Sequence, residues 1–294
     1  MPSPDEHSRW KGSAHPYAGS VATLATKHRK LPLIGPALEA AVGLRVVEIE
    51  IDTDVLGTFT GDVPRSGTPL ETAIAKARLG ISASGARVGL ASEGTIGPDR
   101  TMPFALSDEE IVVLVDDDAG LVVWESVTSF EIVAASAALR PGDDADGLLE
   151  RAGFPGHRLV VRPNSGPIHP IEKGIGTRRE LAAAIAAAAS ASSDGLARVE
   201  NDLRAHSSPS RQVVIAAAAE RLAERLARRC PECFAPGWGP TGYLYGVPCA
   251  ICETEVQVPR AKVSGCQACG SSSMEAIAYP GGKADPGQCP ECNP

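Results

Sequence analysis

The chain has 294 residues and a formal net charge of −8, with a sequence pI near 5.3. This length favours two domains, and the acidic balance argues against general nucleic-acid binding. The longest apolar run, Leu181 to Ala191, is too short to span a bilayer, and residues 1–20 contain no apolar signal-peptide core, so we expect a cytoplasmic protein without membrane contact.

The first 18 residues are polar and predict a disordered tail. After the tail, polar turns separate alternating strands and helices. The predicted elements of this first part are a strand over Val21 to Ala25, a helix over Ile34 to Val42 that ends at Gly43, a strand over Leu44 to Ile51, and a polar loop over Asp52 to Gly67.

The next helix carries three start signals within four residues. Thr68 is an N-cap residue, Pro69 suits the first helical position, and Glu71 closes a capping box. This helix is predicted to end near Leu79, before Gly80.

The residues that follow predict further strands and helices. A strand over Ala86 to Leu90 ends in Ala91-Ser92-Glu93-Gly94, and a β-hairpin of Glu110 to Val115 and Leu121 to Glu125 follows around a solvated turn at Asp116 to Asp118. Next come a helix over Asp144 to Ala152, a strand over Arg158 to Val161, and an alanine-rich helix opened by a second capping box at Thr177 and Glu180. The last helix begins at Ser208-Pro209 and has Ile215, Ala218, Leu222 and Leu226 on one face. Mixed strands and helices in this order indicate an α/β domain with a mixed sheet over residues 19–207, followed by a helical stem over residues 208–229.

All eight cysteines follow residue 229 and form four C-x-x-C pairs. The pairs are Cys230/Cys233, Cys249/Cys252, Cys266/Cys269 and Cys289/Cys292. A C-x-x-C turn presents two thiolates to one tetrahedral ion, and two such turns complete a closed four-thiolate zinc site. The four pairs therefore predict two structural zinc ions in a small zinc-ribbon module over residues 230–294.

Two other interpretations of the cysteine pairs fit less well. A disulfide scaffold needs an oxidising compartment, and a thioredoxin-like motif normally occurs once, near a βαβ pattern. The pairing of the turns stays open, because sequential pairing gives two stacked ribbons and interleaved pairing gives a cross-brace. The intervals of 15, 13 and 19 residues between pairs each suit a local hairpin, so we favour sequential pairing.

Polar residues collect where the predicted strands end. Lys27, His28 and Lys30 follow the first strand, and Glu71 and Glu93 lie at the start of a helix and the end of a later strand. Basic side chains beside carboxylates at such strand ends suit a phosphorylated small molecule bridged by a magnesium ion. The structural alternatives are a solvated basic turn for the first three residues and a capping box for Glu71.

A second polar cluster precedes the last helix. Glu200, Asp202, Arg204 and His206 alternate along the sequence, which puts their side chains on one side of an extended segment. This surface could bind an anion or a metal. Alternatively it is a polar edge in which Asp202 and Arg204 pair with other groups, and the sequence favours neither interpretation.

Several segments carry a family resemblance. They are Ala25 to Lys30, Ile51 to Asp54, Gly57 to Thr60, Ala91 to Gly94, Asp202 to His206, and the terminal CPECFAPGWG and CPECNP. Together they resemble an uncharacterised bacterial family, domain-of-unknown-function family 6671, over nearly the whole chain after residue 18. The resemblance implies the zinc tail and brings no activity. The chain departs from the family at Leu31, where the family tends to have Glu, and at Ser208, where it tends to have Asn.

A second resemblance is confined to the N-terminal domain. Gly67-Thr68, Glu71 to Arg78, and Ser92 to Gly94 are similar in order and spacing to motifs of the house-cleaning nucleoside triphosphate pyrophosphatases. In those enzymes, carboxylates at these places hold magnesium and a loop lysine contacts phosphate. The resemblance implies that Glu71 and Glu93 bind the ion and that Lys27 or Lys30 binds phosphate. The chain departs from the motifs where His28 and Thr72 replace asparagines.

Two functions are therefore compared. The first is magnesium-dependent pyrophosphohydrolysis of a nucleotide or related phosphoanhydride. The alternative is a non-enzymatic module whose zinc tail binds a protein partner. From Cys230 onward, six acidic residues outnumber three basic ones, and two four-thiolate zinc sites add further negative charge. Nucleic acid is therefore not an expected partner of the tail.

Overall fold

The computed structural model describes residues 10–51 and 67–294. The helices in these ranges are α1 (Leu31–Val42), α2 (Pro69–Ser84), α3 (Asp146–Arg151), α4 (Arg178–Ala191) and α5 (Pro209–Ala227). The strands are β1 (Val21–Ala25), β2 (Arg45–Ile49), β3 (Val88–Pro98), β4 (Leu106–Asp116), β5 (Leu121–Ser129), β6 (Ser136–Leu139), β7 (Leu159–Pro163), β8 (Glu172–Ile175), β9 (Ala197–Asn201), β10 (Gly239–Pro248), β11 (Glu255–Gly265) and β12 (Ser272–Ala276). Among these described helices, none is both long and apolar enough to cross a membrane.

Five strands form a mixed sheet in the order β2-β1-β3-β4-β5. β1 is parallel to both of its neighbours, whereas β3, β4 and β5 are joined by antiparallel pairing. The pairing of β1 with β3 ends at Leu24 and Leu90, but β3 continues beside β4 as far as Pro98. Ser92 therefore lies beyond the last β1–β3 pair of the described sheet, near the carboxyl end of β1.

Helices cover both faces of this sheet, α1 and α5 on one face and α2 on the other. Leu24, Leu90 and Leu114 of the strands meet Ile215 and Leu222 of α5 in the main core, and all five are fully buried. Burying each such side chain stabilises the fold by about 1.5–3 kcal/mol. The predicted apolar face of the last helix is confirmed, and α5, predicted as a stem, shares with α1 the layer that covers this face of the sheet.

Both predicted capping boxes are confirmed, whereas the predicted end of α2 is wrong. Gly80 lies inside α2, where a Cβ would come within 3.3 Å of the Cβ of Ala25. Glycine therefore allows the helix to approach β1 closely. The helix ends instead at Gly85, whose φ of 70° is the left-handed conformation usual after a helix.

Residues 136–201 form a second sheet instead of extending the first one. Its order is β6-β9-β7-β8, and all three pairings are antiparallel. Leu181 and Ile185 of α4 pack on Leu159 and Val199 of this sheet. The predicted α/β class and mixed sheet are confirmed by the five-stranded sheet, and the separate antiparallel sheet of residues 136–201 was not predicted. Local sequence does not reveal that β9 returns to lie between β6 and β7.

The predicted hairpin is confirmed, with two local differences. The strand before it runs on to Pro98, so Glu93 lies inside β3 and not at its end. Asp116 is fully buried and not solvated, because its carboxylate accepts hydrogen bonds from the guanidinium of Arg87 and from the hydroxyl of Tyr17 at 3.2 Å.

Residues 10–18 pack against the folded parts of the chain, so the predicted disordered tail is wrong for them. Trp10 is only 4 % exposed and contacts the cluster of Leu121 and Cys230, and Tyr17 is fully buried in the main core. Two aromatic anchors inside a polar segment are easily missed from composition. The rest of the predicted tail, residues 1–9, and the predicted loop at 52–66 lie outside the described residues.

Candidate functional site

Eight cysteine thiols form two four-sulfur clusters in the C-terminal part. The first consists of Cys230, Cys233, Cys266 and Cys269, and the second of Cys249, Cys252, Cys289 and Cys292. The four sulfurs of each cluster lie within 4.8 Å of one another, and the closest pairs are 3.5 to 3.8 Å apart. A tetrahedral zinc ion with Zn–S bonds of about 2.3 Å needs sulfurs about 3.8 Å apart. Each cluster therefore fits one tetrahedral metal ion.

The same backbone turn holds all four pairs. In each, the N–H after the second cysteine donates to the carbonyl of the first cysteine, and these bonds are Phe234 to Cys230, Glu253 to Cys249, Gly270 to Cys266 and Asn293 to Cys289, at 2.9 to 3.3 Å. Phe234 and Glu253 adopt left-handed φ values of 63° and 62° to close the turn. This conformation costs a non-glycine residue about 1–2 kcal/mol. The turn aims both thiols of a pair at one point.

The pairing of the turns is interleaved, so the favoured sequential pairing is wrong. β10 and β11 are antiparallel, and the start of β10 at Gly239 lies beside the end of β11 at Gly265. This register brings the first and third cysteine pairs together. The second pair lies in the connection between the two strands, at the other end of the hairpin, where the fourth pair joins it. The intervals of 15 and 13 residues between successive cysteine pairs contain the strands β10 and β11, so these neighbouring pairs do not form local zinc knuckles.

A group of buried charged side chains lies at the carboxyl end of β1. Lys30, just before α1, is 6 % exposed, and its Nζ donates to Ser92 Oγ at 2.8 Å and to the Ser92 carbonyl at 3.4 Å. Burial lowers the pKa of Lys30 to about 8, although the nearby carboxylate of Glu110 opposes this effect. Lys27 is half-buried in the same turn between β1 and α1.

His28 is surrounded by basic groups. Burial, followed by the charges of Lys30, His206, Arg204 and Arg211, lowers the pKa of His28 to about 4. The rings of His28 and His206 are 5.3 Å apart between centroids. Nδ1 of His28 is buried and has no hydrogen-bond partner among the described residues. The ring is therefore neutral near pH 7 and lies in a region of positive potential.

Arg211 and Glu110 form a buried ion pair beside this group. Arg211 lies in the first turn of α5 with a side chain 3 % exposed, and its Nε donates to Glu110 Oε1 at 2.7 Å. The helix dipole disfavours a cation in the first turn of a helix. The ion pair with Glu110 and a hydrogen bond from Arg211 to the Leu203 carbonyl offset this effect. A Cβ on Gly94 would lie 2.6 Å from Glu110 Oε1 and would also meet the guanidinium. Glycine at this position therefore makes room for the pair.

Asp108 and Glu110 were missed by sequence reasoning. They lie two residues apart on β4, so they share a face of the sheet, and both are 0 % exposed. Burial and the neighbouring Glu110 raise the pKa of Asp108 to about 7, and the two carboxyl groups lie within hydrogen-bonding reach. The available signal was the alternate spacing that puts both acids in line with the core residues Val112 and Leu114 of the same strand.

Glu71 and Glu93 occupy different surroundings. Glu93 follows Ser92 on β3 and so points to the opposite face of the sheet, where its Oε2 accepts from Lys76 Nζ at 2.7 Å. The exposed carboxylate of Glu71 accepts from the N–H and hydroxyl of Thr68, at 2.8 and 2.9 Å, and these bonds lower its pKa. The geometry favours the capping alternative for Glu71.

The second predicted cluster is divided. Arg204 Nε donates to Asp202 Oδ1 at 2.9 Å, so these two residues form an ion pair beside a cavity of about 440 Å³ between the two sheets. Burial opposes ionisation of Asp202, but the bonds from Arg204 hold its pKa below the ordinary value. His206 is exposed, with its ring tilted by 39° to that of His28, whereas Glu200 belongs to β9 and accepts a hydrogen bond from Arg162 at 3.3 Å. Glu200, Asp202 and Arg204 therefore line one cavity, whereas His206 lies apart from it, near His28.

The chain was compared with models of protein families. The model described as Domain of unknown function (DUF6671) matches residues 76–294. This range begins after Lys30 and includes Glu110, Arg211 and all eight cysteines. No curated protein matches the chain.

Proposed function

The chain belongs to the family described as Domain of unknown function (DUF6671), and we propose a function for it from the charged group around His28. We propose that the chain is a magnesium-dependent enzyme that hydrolyses a phosphoanhydride bond of a nucleotide or a related small molecule. The proposed site lies in the α/β part of the chain, apart from the cysteine clusters.

The observation that carries this proposal is the convergence of basic groups from three segments. Lys30 and His28 come from the turn after β1, Arg204 and His206 from the segment after β9, and Arg211 from α5, and the charges of the other four all act on the His28 ring. Nδ1 of His28, a buried ring nitrogen with no hydrogen-bond partner in the described part of the chain, lies in their midst. A phosphate group, with its negative charge and acceptor oxygens, is the kind of ligand that satisfies such a site.

Three of these basic groups have distinct contributions. Lys30 Nζ can donate to a phosphate oxygen in addition to Ser92, and His28 can donate once an anion favours its protonation. Arg211 keeps a positive charge beside them while bound to Glu110. Charge that develops on phosphoryl oxygens in the transition state is stabilised by such fixed donors. Magnesium, when bound, would neutralise part of the phosphate charge.

A substrate screen tests the proposal. The zinc-loaded chain is mixed with nucleoside diphosphates, nucleoside triphosphates and other phosphoanhydrides in the presence of Mg²⁺ or Mn²⁺, and release of phosphate or pyrophosphate is measured. Lys30→Met should lower turnover by about 100-fold, the effect of removing one transition-state donor. Lys262→Met, the same change in β11, should leave turnover unchanged. No turnover, with nucleotides leaving the melting temperature unchanged, would refute the enzyme.

We further propose that both cysteine clusters hold zinc in a structural role. Four thiolates in tetrahedral geometry select zinc over magnesium or manganese, and a closed four-sulfur site leaves no position for a substrate. The excess of acidic residues in the C-terminal part disfavours the binding of nucleic acid there, because it repels the phosphate backbone.

The alternative, a protein-docking module, rests on exposed apolar side chains of the C-terminal sheet. Tyr243 and Tyr245 are each about half exposed, with ring centroids 6.5 Å apart, and Met274 is exposed as well. The substrate screen separates the two functions, because a docking module predicts neither turnover nor stabilisation by nucleotides.

A further inference from the structure

Asp108 and Glu110 place two carboxylates in an enclosed position beside the proposed phosphate site. Both carboxylates face the α5 side of the sheet. Of their four oxygens, Oε1 of Glu110 is the one that Arg211 of α5 binds. Among the described residues, the other three oxygens, Oδ1 and Oδ2 of Asp108 and Oε2 of Glu110, have no hydrogen-bond partner. Buried carboxylate oxygens without partners are strongly unfavourable, so something must satisfy them.

The choice lies between a proton and a cation. A proton shared by the two carboxyl groups joins one open oxygen of Asp108 to Oε2 of Glu110 and leaves the other Asp108 oxygen unpaired. A divalent cation can bind all three open oxygens at once. Magnesium is commonly held by one or two carboxylates, with water and substrate phosphate completing its six ligands.

The charges of the site indicate when such an ion binds. Lys30 and Arg211 are two positive charges, and ionised Asp108 and Glu110 are two negative charges, so these four groups balance one another. A divalent cation adds two positive charges to the buried group. A phosphate ligand neutralises them, so cation and phosphate should each strengthen the binding of the other.

We propose that Asp108 and Glu110 are the protein ligands of a divalent cation that bridges them to a phosphate of the bound ligand. This replaces the sequence-based expectation that Glu71 and Glu93 hold the ion. The identity of the bridged ligand rests on the proposed function, whereas the cation site itself rests on the carboxylate geometry.

Manganese binding tests the site directly. Free Mn²⁺ is measured by electron paramagnetic resonance during titration of the zinc-loaded full chain, with and without methylene diphosphonate, a pyrophosphate analogue whose P–C–P link resists hydrolysis. The cysteine clusters do not interfere, because thiolates favour zinc over manganese. We expect one Mn²⁺ per chain, bound at least about tenfold more tightly in the presence of the diphosphonate.

Two variants locate the ion. Asp108→Asn keeps the shape of the side chain but removes a ligand charge, and should weaken Mn²⁺ binding by at least about tenfold. Glu109→Gln removes the same charge type from the neighbouring residue on the other face of β4 and should have no effect. If Asp108→Asn does not fold, Fe²⁺-mediated cleavage of the wild-type chain provides the test and should cut close to residues 108–110.

Three outcomes would overturn the cation site: no Mn²⁺ binding by the wild type, equal binding by Asp108→Asn, or Fe²⁺ cleavage elsewhere. Two further outcomes distinguish failure of the proposed function from failure of the cation site. Mn²⁺ bound at Asp108 without any phosphoanhydride turnover refutes the enzyme and leaves the cation site. Turnover that survives Asp108→Asn refutes the cation site and leaves the enzyme.

Discussion

Gly94 and Glu110 pair across β3 and β4, and a Cβ on Gly94 would lie 2.6 Å from Glu110 Oε1. That distance is too short for any real side chain. The ion pair of Glu110 with Arg211 fills the space that a side chain at this position would need. The backbone of β3, the acid of β4 and the first turn of α5 are therefore packed around one buried charge pair.

Gly94→Ala should lower the free energy of unfolding by about 1–3 kcal/mol, because the added methyl group must displace a buried ion pair. Urea unfolding of the zinc-loaded chain measures the change. Gly97→Ala is the matched control on the same strand, since its Cβ would meet nothing within 4 Å, and it should change stability by less than about 0.5 kcal/mol. Equal stability of the two variants would contradict the close packing at Gly94.

Local features of this chain could be predicted from the sequence. The capping boxes at Thr68 and Thr177 are each encoded within four residues, and the buried face of α5 follows from helical spacing alone. The C-x-x-C pairs likewise predicted four-sulfur clusters, because the ligand chemistry is contained in each short motif.

The relations between distant segments could not be predicted in this way. Lys30, Glu110 and Arg211 come from three elements far apart in sequence, and only the strand order and the packing of α5 bring them together. Glu110 follows two other acidic residues at the start of an apolar run and carries no motif. The interleaved cysteine pairing depends on the antiparallel register of β10 and β11, which the intervals between pairs do not reveal.

Double serine variants distinguish the two pairing schemes by zinc content. Cys233→Ser with Cys266→Ser damages one cluster and should leave one zinc ion per chain, because both thiols belong to the same site. Cys233→Ser with Cys252→Ser damages both clusters and should leave none. Sequential pairing demands the reverse result for the two variants. Metal analysis of the purified chains measures the outcome.

Trp10→Ala should lower the free energy of unfolding by about 3–5 kcal/mol, because it empties a buried site beside Leu121 and Cys230. Urea unfolding at saturating zinc measures the change. Phe104→Ala removes another large ring, but one that is 90 % exposed, and should change stability by less than about 0.5 kcal/mol. A Trp10→Ala chain as stable as the wild type would show that residues 10–18 are not part of the fold.

His28 should make the fold sensitive to acid. Burial and the charge of Lys30 hold its pKa at about 4 in the folded chain, so between about pH 7.5 and about pH 5.5 only the unfolded chain takes up a proton there. The folded state therefore loses about 1 kcal/mol relative to the unfolded state as pH falls across this range. The His28→Gln variant should not show this loss of stability at lower pH. The difference in unfolding free energy between the wild type and His28→Gln should shift by that amount, and a difference independent of pH would show that the ring is not held neutral.

Calorimetric titration of the zinc-loaded chain with methylene diphosphonate in the presence of Mg²⁺ tests the phosphate site most directly. The account predicts binding of one diphosphonate per chain, weakened at least about tenfold by Lys30→Met, because a hydrogen bond between charged groups contributes about 1.5–3 kcal/mol. Lys262→Met should bind as the wild type does. Absence of binding by the wild type, or equal binding by Lys30→Met, would contradict a phosphate site at the carboxyl end of β1.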